Sequence, residues 1–229
     1  MCPGQIVNLN SSLFNSMLTV NEIFYSIQGE STRAGQPCVF VRLTACDLRC
    51  TWCDTTYAFN EGRKQSVDEV IEAVDRHPCD LVEITGGEPL LQDEVYDLMD
   101  RLLAQGRTVM LETGGHRPID RVPAEVVKIV DVKCPGSGEA DENDWANLDR
   151  LSAHDEVKFV IKDRADYEFA LDVLKRRDVS SRAAAILFSP VHGVLDPKTL
   201  SEWMLADHVP ARLQVQLHKL IWPPDARGV

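Results

Sequence analysis

The stretch LVEITGGEPLLQDEVYDLMDRLLAQGRTVMLETGG, residues 81–115, decides the fold. Its ends, LVEIT and TVMLE, are short apolar runs of the kind that form buried strands. The segment between them, QDEVYDLMDRLLAQG, carries apolar residues at helical spacing and stops at Gly106, a residue suited to a helix C-cap. A strand, a helix and a strand in this order predict a βαβ unit, in which the two strands run parallel.

The same alternation continues along the chain. Ser66, followed three residues later by Glu69, forms a capping box at the start of SVDEVIEAVDRH. Helices are also predicted for DRADYEFALDVLKRR (163–177), which has acids in its first turn and basic residues in its last, and for LDPKTLSEWMLADH (195–208). Further strand-like runs occupy residues 20–27, 38–43, 126–132, 156–161, 184–188 and 212–217. We therefore predict an α/β fold with mostly parallel strands.

Composition limits the class of protein. The chain has 229 residues, of which 44% are hydrophobic, and no linker, repeat or low-complexity segment divides it. We predict a single domain over residues 19–229 behind an N-terminal extension over residues 1–18, with 134–145 as the longest loop. No apolar run reaches the roughly 18 residues of a membrane span.

The N-terminus has no basic region followed by an apolar one, so it does not resemble a signal peptide. We therefore expect a cytoplasmic protein whose thiols stay reduced. The net charge of −12 disfavours contacts with the phosphates of DNA or RNA. These features together predict a small-molecule partner, with no nucleic acid and no membrane.

Chemically unusual residues follow the predicted strands on their carboxyl side. A cysteine-rich loop follows residues 38–43, GGEP follows 81–85, and TGG follows 108–112. Later strands end in the same way, with Asp131, Lys133, Ser189, Pro190, His192, His218 and Lys219. In parallel α/β folds, barrels included, active sites lie at the carboxyl ends of the strands. Because all of these motifs follow their strands on the carboxyl side, they predict one site at that edge of the sheet.

The cysteine-rich loop, TACDLRCTWCDT (44–55), places Cys46, Cys50 and Cys53 at the spacing C-x3-C-x2-C. Thiolates bind zinc, copper(I) or iron–sulfur clusters. A [4Fe–4S] cluster takes one thiolate on each iron, so three cysteines leave one iron open to a small molecule. The alternative is a zinc site, whose fourth ligand would be Cys38, Cys79, Cys134 or His77.

This spacing, with Trp52 before the last cysteine and GGEP (86–89) downstream, resembles the radical S-adenosylmethionine (AdoMet) superfamily. The resemblance implies a partial (β/α) barrel that is open on one side. It also implies that Cys46, Cys50 and Cys53 hold a [4Fe–4S] cluster whose fourth iron chelates the amino and carboxylate groups of AdoMet. An electron from the cluster then cleaves AdoMet to methionine and a 5′-deoxyadenosyl radical, which abstracts hydrogen from the substrate.

Five segments narrow the resemblance: EIFYSIQGES (22–31), FVRLTACDLRCTWCDT (40–55), ITGGEP (84–89), LETGG (111–115) and QLHK (216–219). Together they resemble the 7-carboxy-7-deazaguanine synthase family. Its members convert 6-carboxy-5,6,7,8-tetrahydropterin to 7-carboxy-7-deazaguanine with release of ammonia, in the biosynthesis of queuosine and other deazapurines. The resemblance further implies Mg²⁺, a flavodoxin-like one-electron reductant and a homodimer.

The resemblance also implies which residues contact AdoMet. Gly86 and Gly87 would let the backbone approach its amino group closely, because they have no side chain. Glu88 and Glu112 would hold that amino group or the ribose. The other implied AdoMet contacts are Trp52, Asp54, Asp131, Val132, Lys133, Ser189, Pro190, Val191 and His192.

The implied pterin contacts are Ile27, Gln28, Gly29, Arg42 and Thr85. The amide of Gln28 offers both a donor and an acceptor to the edge of a base. Arg42 could bind the substrate carboxylate through two parallel hydrogen bonds. Thr55 would place a hydroxyl on Mg²⁺, an ion that prefers oxygen ligands.

The chain departs from the family pattern at several places. Ser31 follows QGE, where the family often has glycine. Asp131-Val132-Lys133 stands where Ser-Pro-Lys is common, and Ser189-Pro190 where Gln-Pro is common. The segment LIWPPDARGV follows Lys219, in the region where family members bring the chain end to the substrate.

Two other functional classes are compatible with three clustered cysteines. One is an activating enzyme that installs a glycyl radical on a protein, which would leave the EIFYSIQGE segment unexplained. The other is a non-enzymatic module that binds zinc.

Overall fold

The computed structural model describes residues 17–229, so the predicted extension lies outside the described residues except for Met17 and Leu18. One nine-stranded sheet forms the framework, in the order β3-β1-β2-β4-β5-β6-β7-β8-β9. The strands are β1 (Met17–Ile27), β2 (Pro37–Leu43), β3 (Arg63–Ser66), β4 (Leu81–Gly86), β5 (Thr108–Thr113), β6 (Val127–Asp131), β7 (Glu156–Ile161), β8 (Ala185–Pro190) and β9 (Arg212–Leu213).

The sheet is mostly parallel and does not close, which confirms the predicted fold. Each neighbouring pair from β2 and β4 through to β8 and β9 is parallel. Only β1 runs antiparallel to its two neighbours, β2 and β3. Because β3 and β9 remain as separate edges, the curved sheet has an open side.

The helices pack against the convex face of the sheet, except for the last one, which lies at the cavity on the other face. They are α1 (Val67–Asp75), α2 (Glu94–Ala104), α3 (Ala146–Asp149), α4 (Arg164–Arg177), α5 (Pro197–Ala206) and α6 (His218–Ile221). The capping box at Ser66 and Glu69 is present, and Gly106 takes a left-handed conformation just after α2, as a C-terminal glycine should. Within residues 17–229 no helix is long and apolar enough to cross a membrane.

Strand alternation divides the side chains between the two faces. On β2, Val39 and Val41 pack into the core beneath α1 and α2, whereas Cys38 and Phe40 point to the concave face. Phe40 joins Leu81, Met110 and Ile129 in a small apolar cluster on that face. Polar side chains, Glu83 among them, share this face with the cluster.

One strand prediction was wrong, and one strand was not predicted. The run 212–217 is a strand only over Arg212–Leu213, because the amide of Gln214 turns inward to Glu30 and the chain then enters α6. Strand β3, RKQS, has no apolar run from which it could be predicted, because it is a polar edge strand paired with the start of β1. Strand β1 begins at Met17, two residues before the predicted start of the domain.

The stretch 134–145 is a loop, as predicted, with short 3-10 turns at Pro135–Ser137 and Ala140–Glu142. It supports the cysteine-rich segment. The backbone N–H of Thr51 donates to the carbonyl of Ser137 (2.9 Å), and the Thr51 hydroxyl donates to the carbonyl of Gly136 (2.9 Å). The loop after β6 therefore positions the loop after β2.

Candidate active site

A cavity of about 620 Å³ lies at the carboxyl edge of the sheet. It contains all of the predicted site residues except Glu88 and Val132. The predicted residues that line it are Ile27, Gln28, Gly29, Arg42, Cys46, Cys50, Trp52, Cys53, Asp54, Thr55, Thr85, Gly86, Gly87, Glu112, Asp131, Lys133, Ser189, Pro190, Val191 and His192. Motifs spread over more than 160 positions of sequence thus meet in one place.

The cysteine loop, defined as residues 44–55, forms one wall of this cavity. Its three thiols are half-buried, and burial raises the pKa of Cys46 to about 11 and also raises the pKa values of Cys50 and Cys53. Metal binding must therefore displace protons from these thiols. The loop is held from outside by Asp47, which pairs with His116 (2.6 Å) and with Arg117.

The arrangement of the thiols fits a cluster better than a single zinc ion. Within residues 17–229 no three His, Cys, Asp or Glu side chains converge in a way that could hold one metal ion. In a [4Fe–4S] cluster each thiolate binds a different iron, so the three sulfurs need to surround a volume and not a point. All three face the cavity, which supplies that volume.

The other proposed zinc ligands are engaged elsewhere. Cys38 and Cys134 are fully buried among apolar side chains, and the thiol of Cys79 lies 3.2 Å from the carbonyl of Pro37. His77 stacks on Tyr25 with 5.5 Å between the ring centroids.

The GGEP loop (86–89) packs directly against the cysteine loop. A Cβ on Gly87 would lie 2.1 Å from the carbonyl oxygen of Ala45. A Cβ on Gly86, whose φ is +152°, would lie 2.3 Å from the carbonyl oxygen of Leu43. Only glycine allows this approach. The Glu88 backbone N–H then donates to the carbonyl of Ala45 (2.7 Å), which fixes the two loops together.

Glu88 does not line the cavity. Its carboxylate is completely buried and accepts hydrogen bonds from the Thr113 hydroxyl (2.9 Å), the Gly114 N–H (2.8 Å) and the Leu90 N–H (3.0 Å). Burial raises the pKa of Glu88. The residue therefore joins the GGEP loop to Thr113 and Gly114 at the end of β5, and its contact with AdoMet stays a prediction.

Strand alternation separates the three residues at the end of β6. Asp131 and Lys133 face the cavity and form an ion pair of 2.7 Å, while Val132 packs in the core on the other side. Burial acts to lower the pKa of Lys133, but Asp131 and Cys50 outweigh it and the net pKa is raised. Asp131 Oδ1 is buried without a hydrogen-bond partner among the described residues, so a ligand donor could bind there.

A sequence comparison adds to this geometry. The profile of the Radical SAM superfamily matches residues 41–178. The 7-carboxy-7-deazaguanine synthase of Koribacter versatilis (strain Ellin345) is 49% identical, over 93% of this chain and 100% of that protein. The protein of the same name from Chlorobaculum tepidum is 46% identical, over 93% of this chain and 97% of that protein. The chain belongs to the 7-carboxy-7-deazaguanine synthase family.

A solved structure supports the fold of this deazaguanine synthase family member. The crystal structure of QueE from Escherichia coli matches with a TM-score of 0.75 at 24% sequence identity, over 88% of this chain and 95% of that chain. The similarity extends across the open, mostly parallel sheet, so the predicted partial barrel is confirmed.

Sequence reasoning missed a network of charges beneath the opening of the cavity. Lys158, on β7, donates to Glu30 (2.8 Å) and to Glu112, and Glu112 also accepts from the Thr85 hydroxyl (3.2 Å). Burial acts to raise the pKa of Glu112, but Lys158 outweighs it and the net pKa is lowered. The sequence signal that could have revealed it is the lysine in the middle of the apolar run EVKFVI, because a buried charge needs a partner of opposite charge.

Two of the predicted substrate residues already form hydrogen bonds with other protein side chains. Gln28 donates from Nε2 to Glu83 and accepts from the Glu30 N–H at Oε1 (3.0 Å), so both ends of its amide are engaged inside the protein. Arg42 lines the cavity, but its Nε donates to Glu22 (2.8 Å). Phe24, at 5.7 Å, also holds the Arg42 guanidinium.

The C-terminal segment contributes to the cavity. Lys219 binds Asp54 (2.6 Å), whose other oxygen accepts from the Thr55 hydroxyl (2.9 Å). Burial acts to raise the pKa of Asp54, but Lys219 outweighs it and the net pKa is lowered. The tail then crosses the opening of the cavity, where Pro224, Asp225, Ala226, Gly228 and Val229 form part of the lining.

Proposed function

We propose that this chain converts 6-carboxy-5,6,7,8-tetrahydropterin to 7-carboxy-7-deazaguanine with release of ammonia, a radical AdoMet lyase reaction of deazapurine and queuosine biosynthesis. The observation that carries the proposal is the meeting of three motifs in one cavity. These are the cysteine loop, the GGEP loop and the QGE loop, the last defined as residues 28–36. A glycyl-radical activating enzyme would have no use for the QGE loop at this position.

Cys46, Cys50 and Cys53 would hold the cluster at the wall of the cavity. Gly87 keeps the adjacent backbone free of side chains, and Lys133 supplies a cation beside the thiols for the carboxylate of AdoMet. When bound, the cluster and AdoMet supply the one-electron, hydrogen-abstracting chemistry of the superfamily.

The pterin would lie deeper, between the QGE loop and β5. Lys158 is held between Glu30 and Glu112, so its ammonium and the two carboxylates present fixed charges to the ring. Glu112 is ionised because of Lys158 and can accept a proton at its carboxylate. Arg42 keeps its charge near the opening, where a substrate carboxylate could bind.

Mg²⁺ is assigned to Thr55, with Asp54 as its nearest oxygen neighbour. The two side chains are hydrogen-bonded at 2.9 Å, and Asp54 provides the negative charge that a hydroxyl lacks. Lys219 holds the same carboxylate, so a bound cation would have to share or displace this ammonium. We further propose a homodimer, a flavodoxin-like reductant and a cytoplasmic location.

The test is anaerobic incubation of the iron-reconstituted protein with AdoMet, a reductant, Mg²⁺ and 6-carboxytetrahydropterin. Formation of 7-carboxy-7-deazaguanine, detected by mass and ultraviolet spectrum, is the expected result. A colourless protein that contains zinc and gives no product would support the binding-module alternative and overturn the proposal.

A further inference from the structure

Glu83 is a buried acid with no obvious structural role. It occupies the middle of β4 and is 4% exposed, yet it lines the cavity. Its carboxylate takes part in one hydrogen bond among the described residues, from Gln28 Nε2 to Oε2. Burial raises its pKa, and the nearby charge of Glu112 raises it further. A buried carboxylate with so few donors is unfavourable unless a ligand supplies more.

On the two neighbouring strands, Glu83 is flanked by apolar side chains. It pairs in register with Phe40 on β2 and with Met110 on β5, both of which are buried on the concave face. The ring of Phe40 stacks on that of Phe24 with 4.9 Å between centroids, and both rings line the cavity. An aromatic wall next to a carboxylate that has a free oxygen suits a planar heterocycle with N–H groups on one edge.

Gln28 positions this carboxylate. Its amide is fixed at both ends, by the Glu30 N–H at Oε1 and by Glu83 at Nε2. Glu83 Oε2 is therefore held by the protein, whereas Oε1 makes no hydrogen bond in the described structure. The cation of the neighbouring network, Lys158, is already shared by Glu30 and Glu112.

We propose that Glu83 is a specificity residue that accepts hydrogen bonds from the ring N–H and the exocyclic amino group of a 2-amino-4-oxopyrimidine. This inference rests on the proposed function, since a pterin carries that edge. The two donors are adjacent on the ring and match a carboxylate, which binds a pair of parallel donors well. A ring with an oxo group at position 2 would instead direct an acceptor at Glu83.

The experiment compares two air-stable ligands, 6-carboxypterin and 6-carboxylumazine, which differ in the amino or oxo group at position 2. Binding to the holoenzyme with AdoMet is measured by anaerobic calorimetry. The wild type should bind the pterin at least about tenfold more tightly than the lumazine, because a charged hydrogen bond is lost in the second complex. Glu83→Gln should bind the pterin about tenfold or more weakly and should discriminate between the ligands less than about threefold.

The matched control is Glu156→Gln. Glu156 is also buried in a strand, but it is not in the lining of the cavity and accepts from Thr32, which an amide oxygen can still bind. This variant should keep the wild-type preference. Equal binding of both ligands by the wild type would overturn the proposal even if Glu83→Gln failed to fold, and so would an unchanged preference in a folded Glu83→Gln.

The result is separable from the proposed function. Turnover of 6-carboxytetrahydropterin by the wild type is scored in the same preparation. If the wild type shows no turnover but prefers the pterin in a Glu83-dependent way, the proposed reaction is wrong and the recognition role of Glu83 stands. Turnover without that preference would remove the role of Glu83 alone.

Discussion

The cysteines of the cavity wall differ from those of the sheet interior in what surrounds them. Cys46, Cys50 and Cys53 lie on a loop that follows the carboxyl end of β2 and face the cavity. Cys38 lies on the same strand, near its other end, and Cys134 lies in the core beside α4; both are fully buried.

The difference shows that protonation does not distinguish a ligand from a packing residue in this chain. Burial raises the pKa of Cys38 and of Cys134, and it also raises the pKa of each thiol in the cysteine loop. What distinguishes the two groups is access to a shared volume. Of these five thiols, only the three in the loop can approach a cluster without breaking the sheet or its core.

The largest expected effect is that of Cys50→Ala. Removal of one of three thiolates should release or degrade the cluster, so we expect less than about a tenth of the wild-type iron and no detectable AdoMet cleavage. Cluster content is measured by iron and sulfide analysis and by absorbance near 400 nm. Full iron content in Cys50→Ala would contradict the division between loop cysteines and interior cysteines, because a cysteine outside the loop would then have to serve as a ligand.

A second contrast of the same kind is that between two buried lysines. Lys158 faces the cavity between Glu30 and Glu112, whereas Lys128 pairs with Asp155 at 3.1 Å and is not part of the cavity lining. Lys158→Met leaves two partly buried carboxylates without their cation, and Lys128→Met leaves one fully buried carboxylate without its cation. Each substitution should lower the free energy of unfolding by about 3–5 kcal/mol.

Only Lys158→Met should also reduce activity in the folded fraction, by roughly 100-fold. Urea denaturation measures the stability of both variants, and turnover is measured at a temperature at which both are folded. Equal losses of activity in Lys158→Met and Lys128→Met would mean that Lys158 acts through stability alone.

The sequence predicted the parallel sheet well, because β2, β4, β5 and β7 carry short, largely apolar runs separated by helical patterns. It also predicted which edge holds the site, since that follows from strand direction alone. It could not predict which face each side chain takes. Val132 was included with its neighbours although the alternation of β6 turns it into the core.

Long-range polar contacts were the other limit. Glu88 was assigned to AdoMet, but two of its three donors, Thr113 at the end of β5 and Gly114 after it, lie 25 and 26 positions away. Gln28 was assigned to the pterin, but its partner Glu83 lies 55 positions away on another strand. Such pairings depend on the packed structure, and no local pattern in the sequence encodes them.

A smaller effect is expected at Thr55 of the cysteine loop, with Thr51 of the same loop as the control. Thr55→Ala removes the hydroxyl proposed for Mg²⁺ and should weaken the apparent affinity for Mg²⁺ by about tenfold, with cluster content unchanged. Thr51→Ala is the control, because the Thr51 hydroxyl donates to the Gly136 carbonyl and has no proposed part in metal binding. Activity is titrated against Mg²⁺ in both. An identical Mg²⁺ dependence in Thr55→Ala and wild type would contradict the assignment.

The smallest effect on the cluster should come from the cysteines outside the loop. A variant with Cys2, Cys38, Cys79 and Cys134 replaced by serine or alanine should still bind about four irons per chain, because three loop thiolates suffice. Cys2 lies outside the described residues, but the structure describes the other three thiols. Cys38 and Cys134 are packed in apolar clusters and Cys79 lies against backbone carbonyls.

Some stability should be lost at Cys38 and Cys134, about 1 kcal/mol each, since both fill closely packed space. Single variants separate this loss from loss of a ligand: a destabilised protein still binds iron when folded, whereas a protein without a ligand folds and lacks metal. Iron and zinc are therefore counted per folded chain for each single substitution. If any one of them folds normally and loses its metal, the cavity wall and the sheet interior do not divide the cysteines by function, and the three-cysteine site is wrong.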